Sequence, residues 1–104
     1  MKKSESSFRE KVYEIAKTIP VGKVVTYGQL AVMAGSPGAA RAVGMCMKQN
    51  PDNKTIPCHR VVASNGKLTG YAFGGVNTKK QILEKEGVKF LNDRVNLVVS
   101  RWNP

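Results

Sequence analysis

Carboxylates are the scarcest charged groups in this chain of 104 residues, seven Asp+Glu against 17 Lys+Arg, for a formal net charge of +10. Between Glu14 and Glu84 the one acid is Asp52, whereas Lys17, Lys23, Arg41, Lys48, Lys54, Arg60, Lys67, Lys79 and Lys80 all fall in that span. A surface so short of negative charge suits a polyanion; the competing reading is a generic basic surface that keeps the protein in solution. Histidine occurs once and cysteine twice. That set cannot supply the four ligands of a zinc finger, and neither metal nor cofactor is expected. No apolar run approaches the ~18 residues of a membrane span. Met1-Lys2-Lys3-Ser4-Glu5 leads into no signal-like stretch, so neither a membrane nor a secreted protein is expected. Two cysteines without such a signal point to a reducing compartment, the cytoplasm, or the nucleus in a eukaryote. The 41% hydrophobic content supports one core, hence a single domain over residues 1–104.

Ser7-Phe8-Arg9-Glu10 has the pattern of a capping box, followed by Phe8, Val12, Ile15, Ala16 and Ile19 at helical spacing, with Pro20 as the stop. Thr26-Tyr27-Gly28-Gln29 repeats the box before Leu30-Ala31-Val32-Met33-Ala34 and Gly35. Ser36 and Pro37 then predict the start of a third helix, which ends before Asn50-Pro51. Two short helices joined by Gly35-Ser36-Pro37 predict a helix-turn-helix. The second of them is small on one side, at Gly38, Ala39, Ala40 and Gly44. That side suits either close helix packing or approach to a nucleic acid, and Arg41 and Lys48 favour the latter. Val61-Val62-Ala63, Ser64-Asn65-Gly66 and Lys67-Leu68 predict a hairpin placed as a wing. Residues Thr69 to Val76 read as a glycine-rich loop, and Asn77 as the cap of a last helix ending at Gly87. Phe90-Leu91 and Val95-Asn96-Leu97-Val98-Val99 either pair or simply pack. The expected architecture is mostly α with a small β hairpin, a winged helix-turn-helix-like DNA-binding domain.

Reactive side chains concentrate in Pro57-Cys58-His59-Arg60-Val61. A thiol attacks as thiolate, and an adjacent imidazole and guanidinium would lower its pKa. A buried structural cysteine beside a capping histidine is the alternative. Cys46, amid Ala42, Val43 and Met47, reads as a small buried hydrophobe.

Pro57-Cys58-His59-Arg60-Val61 resembles the active-site motif of the O6-alkylguanine-DNA alkyltransferases, proteins that take an alkyl group from DNA onto their own cysteine. Val25-Thr26-Tyr27-Gly28-Gln29-Leu30-Ala31 resembles the family's first DNA-contacting helix, and Ala39-Ala40-Arg41-Ala42-Val43-Gly44 its recognition helix. Asn50-Pro51 resembles its hinge, Gly70-Tyr71 and Gly74-Gly75 its lid, and Glu86 stands where its third catalytic residue falls. The resemblance covers about residues 8–90, the family's catalytic C-terminal domain.

The resemblance implies a role for each of these residues. Cys58 would be the alkyl acceptor, and His59, acting through a water and oriented by Glu86, would take the thiol proton. Tyr27 would donate toward guanine N3. Arg41 would fill the stack after the damaged nucleotide is flipped out. The carbonyls of Cys58 and Val61 would read the guanine amine, Asn50 would shape the turn, and Tyr71 and Ala72 would close over O6. Thr26, Ala39, Ala40, Gly44, Lys48 and Ser64 join Tyr27 and Arg41 among the DNA contacts, with the recognition helix in the minor groove. Read singly, Tyr27 fits a core, Arg41 a solvated surface, and Glu86 a partner for Lys79 or Lys80. The implied activity is stoichiometric methyl transfer from O6-methylguanine in duplex DNA by a monomeric methylated-DNA–protein-cysteine methyltransferase.

Three features depart from the family pattern. The N-terminal domain of many members, with any zinc it holds, has no counterpart here. The lid is one residue longer, Tyr71-Ala72-Phe73 before Gly74-Gly75. The small size and Arg101-Trp102 resemble alkyltransferase-like proteins, which bind such lesions without repair, flag them for other repair factors, and carry Trp or Ala where this chain has Cys58. A lesion sensor is therefore the alternative function, and a winged-helix regulator a weaker one.

Overall fold

The computed structural model describes residues 7–104; the Met1–Glu5 stretch read for a signal peptide lies outside them. Helix α1 (Phe8–Ala16) starts at the expected box, Ser7 Oγ accepting from Glu10 N (3.0 Å) and Glu10 Oε1 from Ser7 N (3.2 Å). It stops earlier than Pro20 implies, and Ile19 reaches the core from a following turn, 2% exposed. Strand β1 (Val25–Thr26) runs directly into α2 (Tyr27–Met33), whose cap is the second box, Thr26 with Gln29.

Helix α3 spans Ala40–Lys48 and has no side-chain cap. Ser36 does not cap it. Ser36 O instead accepts from Ala39 N (3.0 Å), Pro37 and Gly38 stand between, and Gly38 has φ +91°. Proline second and a positive-φ glycine third are what a type II turn requires. The turn therefore absorbs the residues that read as a first helical turn. It returns α3 across α2, and the two pack with α1 around Val12, Leu30, Val43 and Met47.

A 3-10 turn (Cys58–Arg60) leads into β2 (Val61–Val62), which pairs with β1 in parallel, Val25 opposite Val61 and Thr26 opposite Val62. The expected wing is reduced to a turn. Ala63 N reaches Lys67 O (3.1 Å) and Gly66 N reaches Ala63 O (2.8 Å), but no return strand follows. Val61 and Val62 are both fully buried, so β2 has no solvent face, the condition of a parallel buried strand rather than a wing. The fold's hairpin is β3 (Phe90–Leu91) with β4 (Arg94–Val95), bent through Asn92 at φ 59°. Lys67 bridges Arg94 at its edge. Mostly helical with a small hairpin thus holds, with the hairpin some 30 residues downstream of its predicted place.

Helix α4 spans Gly75–Lys85, three residues earlier than a cap at Asn77 implies, and is introduced by Gly74 at φ +137°. Leu83 from α4 meets Val24, Val62, Leu68, Val88 and Val95 in a second core cluster. Asn96 caps a short α5 (Leu97–Ser100), beyond which Trp102 N donates to Val24 O (2.8 Å). No helix of the described residues is long and apolar enough to cross a membrane.

Gly66 joins the two halves of the sheet region. Its carbonyl accepts from Val95 N (2.9 Å), it has φ +83°, and a Cβ there would overlap the Val95 carbonyl. Gly66→Ala is expected to lower unfolding stability by about 2 kcal/mol or more, read as an earlier urea midpoint at unchanged slope.

Candidate active site and nucleic-acid face

Proline at 57 and the 3-10 turn set the local geometry of the reactive segment. Cys58 N donates to Ile56 O (2.8 Å), and the buried Asn50 braces the same carbonyl through Nδ2 (2.8 Å). Asn50 Oδ1 accepts from Asp52 N (3.0 Å), so one amide holds both ends of the 50–56 loop. Cys58 is left 4% exposed on the wall of a cavity of about 960 Å³.

His59 is buried and points its Nε2 at Glu86 Oε2, 3.0 Å away. Glu86 is the C-cap of α4 and also receives Arg60 in a fork, Nε to Oε1 (2.9 Å) and the second guanidine nitrogen to Oε2 (2.8 Å). The remaining arm of Arg60 donates to Ile19 O (2.8 Å). Burial raises the Glu86 carboxyl, but the Arg60 and His59 hydrogen bonds outweigh it and hold the pKa below its ordinary value. Burial lowers that of His59, more than the Glu86 bond raises it. A neutral imidazole beside a carboxylate must place its proton on Nε2. Nδ1 then offers a lone pair, and that atom is buried without a partner among the described residues.

This corrects the expected activation of Cys58. Arg60 is committed to Glu86 and His59 is neutral, so neither brings positive charge to the sulfur. Burial raises the thiol pKa, offset in part by the Asn50 hydrogen bond and the charge of Lys79. Nor does Glu86 pair along its own helix: Lys80 bonds Asp93 (3.2 Å) and Lys79 bonds Val61 O (2.9 Å).

The cavity collects residues from four elements. Tyr27, the first residue of α2, shares a 2.7 Å hydrogen bond with Thr69 Oγ1 across its mouth. Burial raises the Tyr27 pKa, opposed by that bond. From α3 come Ala40, Arg41, Gly44, Met45 and Lys48, the face that spacing of three and four residues makes continuous. Ser64 lines the opposite edge. Tyr71 and Ala72 line it from the 70–75 segment, and Phe73 does not. Phe73 packs edge-on against Tyr71 (5.7 Å between centroids), which in turn meets His59 (6.4 Å) and accepts from Asn53 Nδ2 at 3.3 Å. Val61 is fully buried behind the wall. Two residues expected among the DNA contacts do not line the cavity. Thr26 is 5% exposed with its hydroxyl committed to Gln29 N, and Ala39 packs partly against the core.

Sequence reasoning missed Lys79, whose spacing on an otherwise polar helix face reads as solvated. It is 1% exposed, lines the cavity, and lies 6.0 Å from the Tyr27 ring centroid. Burial pushes its ammonium down to about 8. Only its juxtaposition with Val61, 18 residues away, could have found it.

The family described as 6-O-methylguanine DNA methyltransferase, DNA binding domain, matches residues 7–88. The chain is 50% identical over 84 residues to the methylated-DNA–protein-cysteine methyltransferase of Shigella flexneri, covering 81% of this chain and 48% of that protein. It thus spans about half the length of the curated relatives it matches. Among solved structures, Mycobacterium tuberculosis OGT in complex with DNA superposes with a TM-score of 0.74 at 48% identity, over 77% of this chain and 48% of that one. S. pombe Atl1, in complex with damaged DNA containing O6-carboxymethylguanine, superposes at 0.80 with 35% identity over 100% of both chains.

The depressed Lys79 pKa has a consequence for stability. The unfolded chain keeps this proton up to its ordinary 10.5, the folded chain only to about 8, so between those values the unfolded state binds more protons and stability rises with pH. Wild type should therefore gain roughly 3 kcal/mol relative to Lys79→Met between pH 8 and 10.5. Parallel urea titrations of the two proteins measure the difference.

Proposed function

The chain belongs to the 6-O-methylguanine DNA methyltransferase DNA-binding-domain family, and from that premise we propose that it repairs duplex DNA by taking the alkyl group of O6-methylguanine onto Cys58. The observation that carries this reading is the relay behind the thiol: a neutral His59 with a free Nδ1, its Nε2–H donated to a Glu86 carboxylate that Arg60 clamps. A nucleophile, a base and an orienting carboxylate are what alkyl transfer to sulfur needs. The finer assignment, that this half of the longer relatives' length is their catalytic one, rests on the same cluster.

In this mechanism the flipped guanine enters the cavity. His59 Nδ1, through a water, takes the Cys58 proton. The thiolate attacks the methyl carbon, the S–C bond forms, the C–O6 bond breaks, and its electron pair leaves with the guanine. Tyr27 donates toward N3 as charge develops there, and the proton taken from sulfur returns to the base. The product thioether is stable, so each molecule acts once. Arg41 replaces the flipped base in the stack, and the carbonyls of Cys58 and Val61 receive the guanine amine. Lys48 and the exposed cations of the acid-poor span hold phosphates.

A lesion sensor is the second reading, and its specific support is the end-to-end match to Atl1. The two separate cleanly in one experiment. Incubation with O6-methylguanine duplex should add one methyl group to the intact mass, located on the peptide containing Cys58. His59→Ala should slow the transfer by 10²–10⁴-fold. A wild type that binds the lesion but never gains mass would make the protein a sensor. On the DNA side, Arg41→Ala should weaken lesion duplex more than plain duplex. Lys48→Ala should weaken both alike and reduce the salt slope by about one. Equal losses for Arg41→Ala would reduce it to a phosphate contact.

A further inference from the structure

The relay described above leaves one charged group of the cavity without a task. Lys79 is 1% exposed, yet among the described residues it has no carboxylate partner, and its Nζ makes one hydrogen bond, to Val61 O at 2.9 Å. An ammonium has three protons to donate and is expensive to bury unpaired. Both the helix and the acceptor hold it in place: α4 is anchored at Glu86 by Arg60, and Val61 stands three residues beyond Cys58 in the same segment. Its charge lies under the Tyr27 ring at 6.0 Å from the centroid, on the wall that also exposes Cys58.

We propose that Lys79 is the electrostatic partner of Cys58, holding positive charge beside the sulfur so that the thiolate forms in a buried, apolar cavity, and keeping the Tyr27 ring in register with it. The inference rests on the alkyl-transfer reading for its consequence in DNA, but the pairing itself is a property of the free protein. Among the described residues the cations lining the cavity are Arg41 and Lys48 of α3 and Lys79 of α4. Arg60 is bound to Glu86 and Ile19 O, His59 is neutral, and Lys80 is turned to Asp93. Arg41 and Lys48 stand across the cavity on α3, and Tyr27 and Tyr71 face it from α2 and the lid. Lys79 is thus a positioning residue, acting through the thiol and the phenol.

The thiol and the ammonium titrate as a pair. At pH 7 the dominant form carries both protons. Loss of the first leaves the remaining proton on nitrogen or on sulfur, and the form with it on nitrogen is the reactive thiolate. Raising the pH through this step increases the reactive fraction by the share that keeps its proton on nitrogen, and the second loss completes it. Without the ammonium, the thiol ionises alone and at higher pH.

The test measures peptide-resolved iodoacetamide labelling of Cys58, which separates it from Cys46, across pH 6–10.5 in wild type, Lys79→Met and Lys79→Arg, alongside single-turnover transfer from O6-methylguanine duplex. Wild-type labelling should begin to rise at lower pH than that of Lys79→Met. Lys79→Met should label at least tenfold more slowly at pH 7 and keep rising past pH 9, and Lys79→Arg, which retains charge, should recover most of the rate. Transfer from DNA should fall on the order of 10²-fold in Lys79→Met. A Lys79→Met labelling profile that superposes on wild type after scaling would reduce Lys79 to a structural role and overturn the inference. If wild type transfers nothing while its labelling profile moves as described, the repair reading fails and the pairing stands. If transfer occurs and labelling does not move, the reverse holds.

Discussion

The clamp of Arg60 and His59 on Glu86 is the interaction on which the rest of the site depends. It ties the 3-10 turn carrying Cys58 to the C-terminal end of α4, and through the third arm of Arg60 to the turn after α1. Three charged or polar groups are withdrawn from water together and bonded to one another, with Ile19 O taking the remaining arm of Arg60 and only His59 Nδ1 left without a partner among the described residues, and a buried network so nearly satisfied rigidifies a fold. The geometry of Cys58 follows from it, because the turn is three residues long and has no side-chain cap of its own.

The clamp also decides the electrostatics of the thiol. A guanidinium beside a cysteine in sequence suggests a cysteine of low pKa. Here the same guanidinium is neutralised by Glu86, the imidazole is kept neutral by burial, and the thiol pKa is raised. A resting thiol of that kind is inert toward solvent, which suits a residue that can react only once. Positive charge reaches the cavity from a different element, as Lys79 of α4.

Around that centre the surface divides the work. The α3 face with Arg41, Gly44, Met45 and Lys48 is exposed or half-buried and basic. The 70–75 segment packs Tyr71, backed by Phe73, against His59 and leaves the small Ala72 on the cavity wall.

The carboxylate-poor span, both capping boxes, the helix-turn-helix and the Cys58-His59 pair are local features, and the sequence by itself determined them. Ser7 with Glu10 and Thr26 with Gln29 meet within one helical turn, so no distant contact can overrule them. What lay beyond reach was whatever depends on partners far along the chain. Val61-Val62 has the composition of either a wing or a buried strand, and pairing with Val25-Thr26 some 36 residues earlier decided for the strand. Ser36 reads as a cap until Gly38 adopts a positive φ. Glu86 could have served Lys79 or Lys80, and the fold gave it to Arg60 and His59 from 26 and 27 residues away. Lys79 itself shows the limit best: a lysine on a helix face carries no local sign of burial, and only tertiary packing placed its charge under Tyr27 and on the wall shared with Cys58.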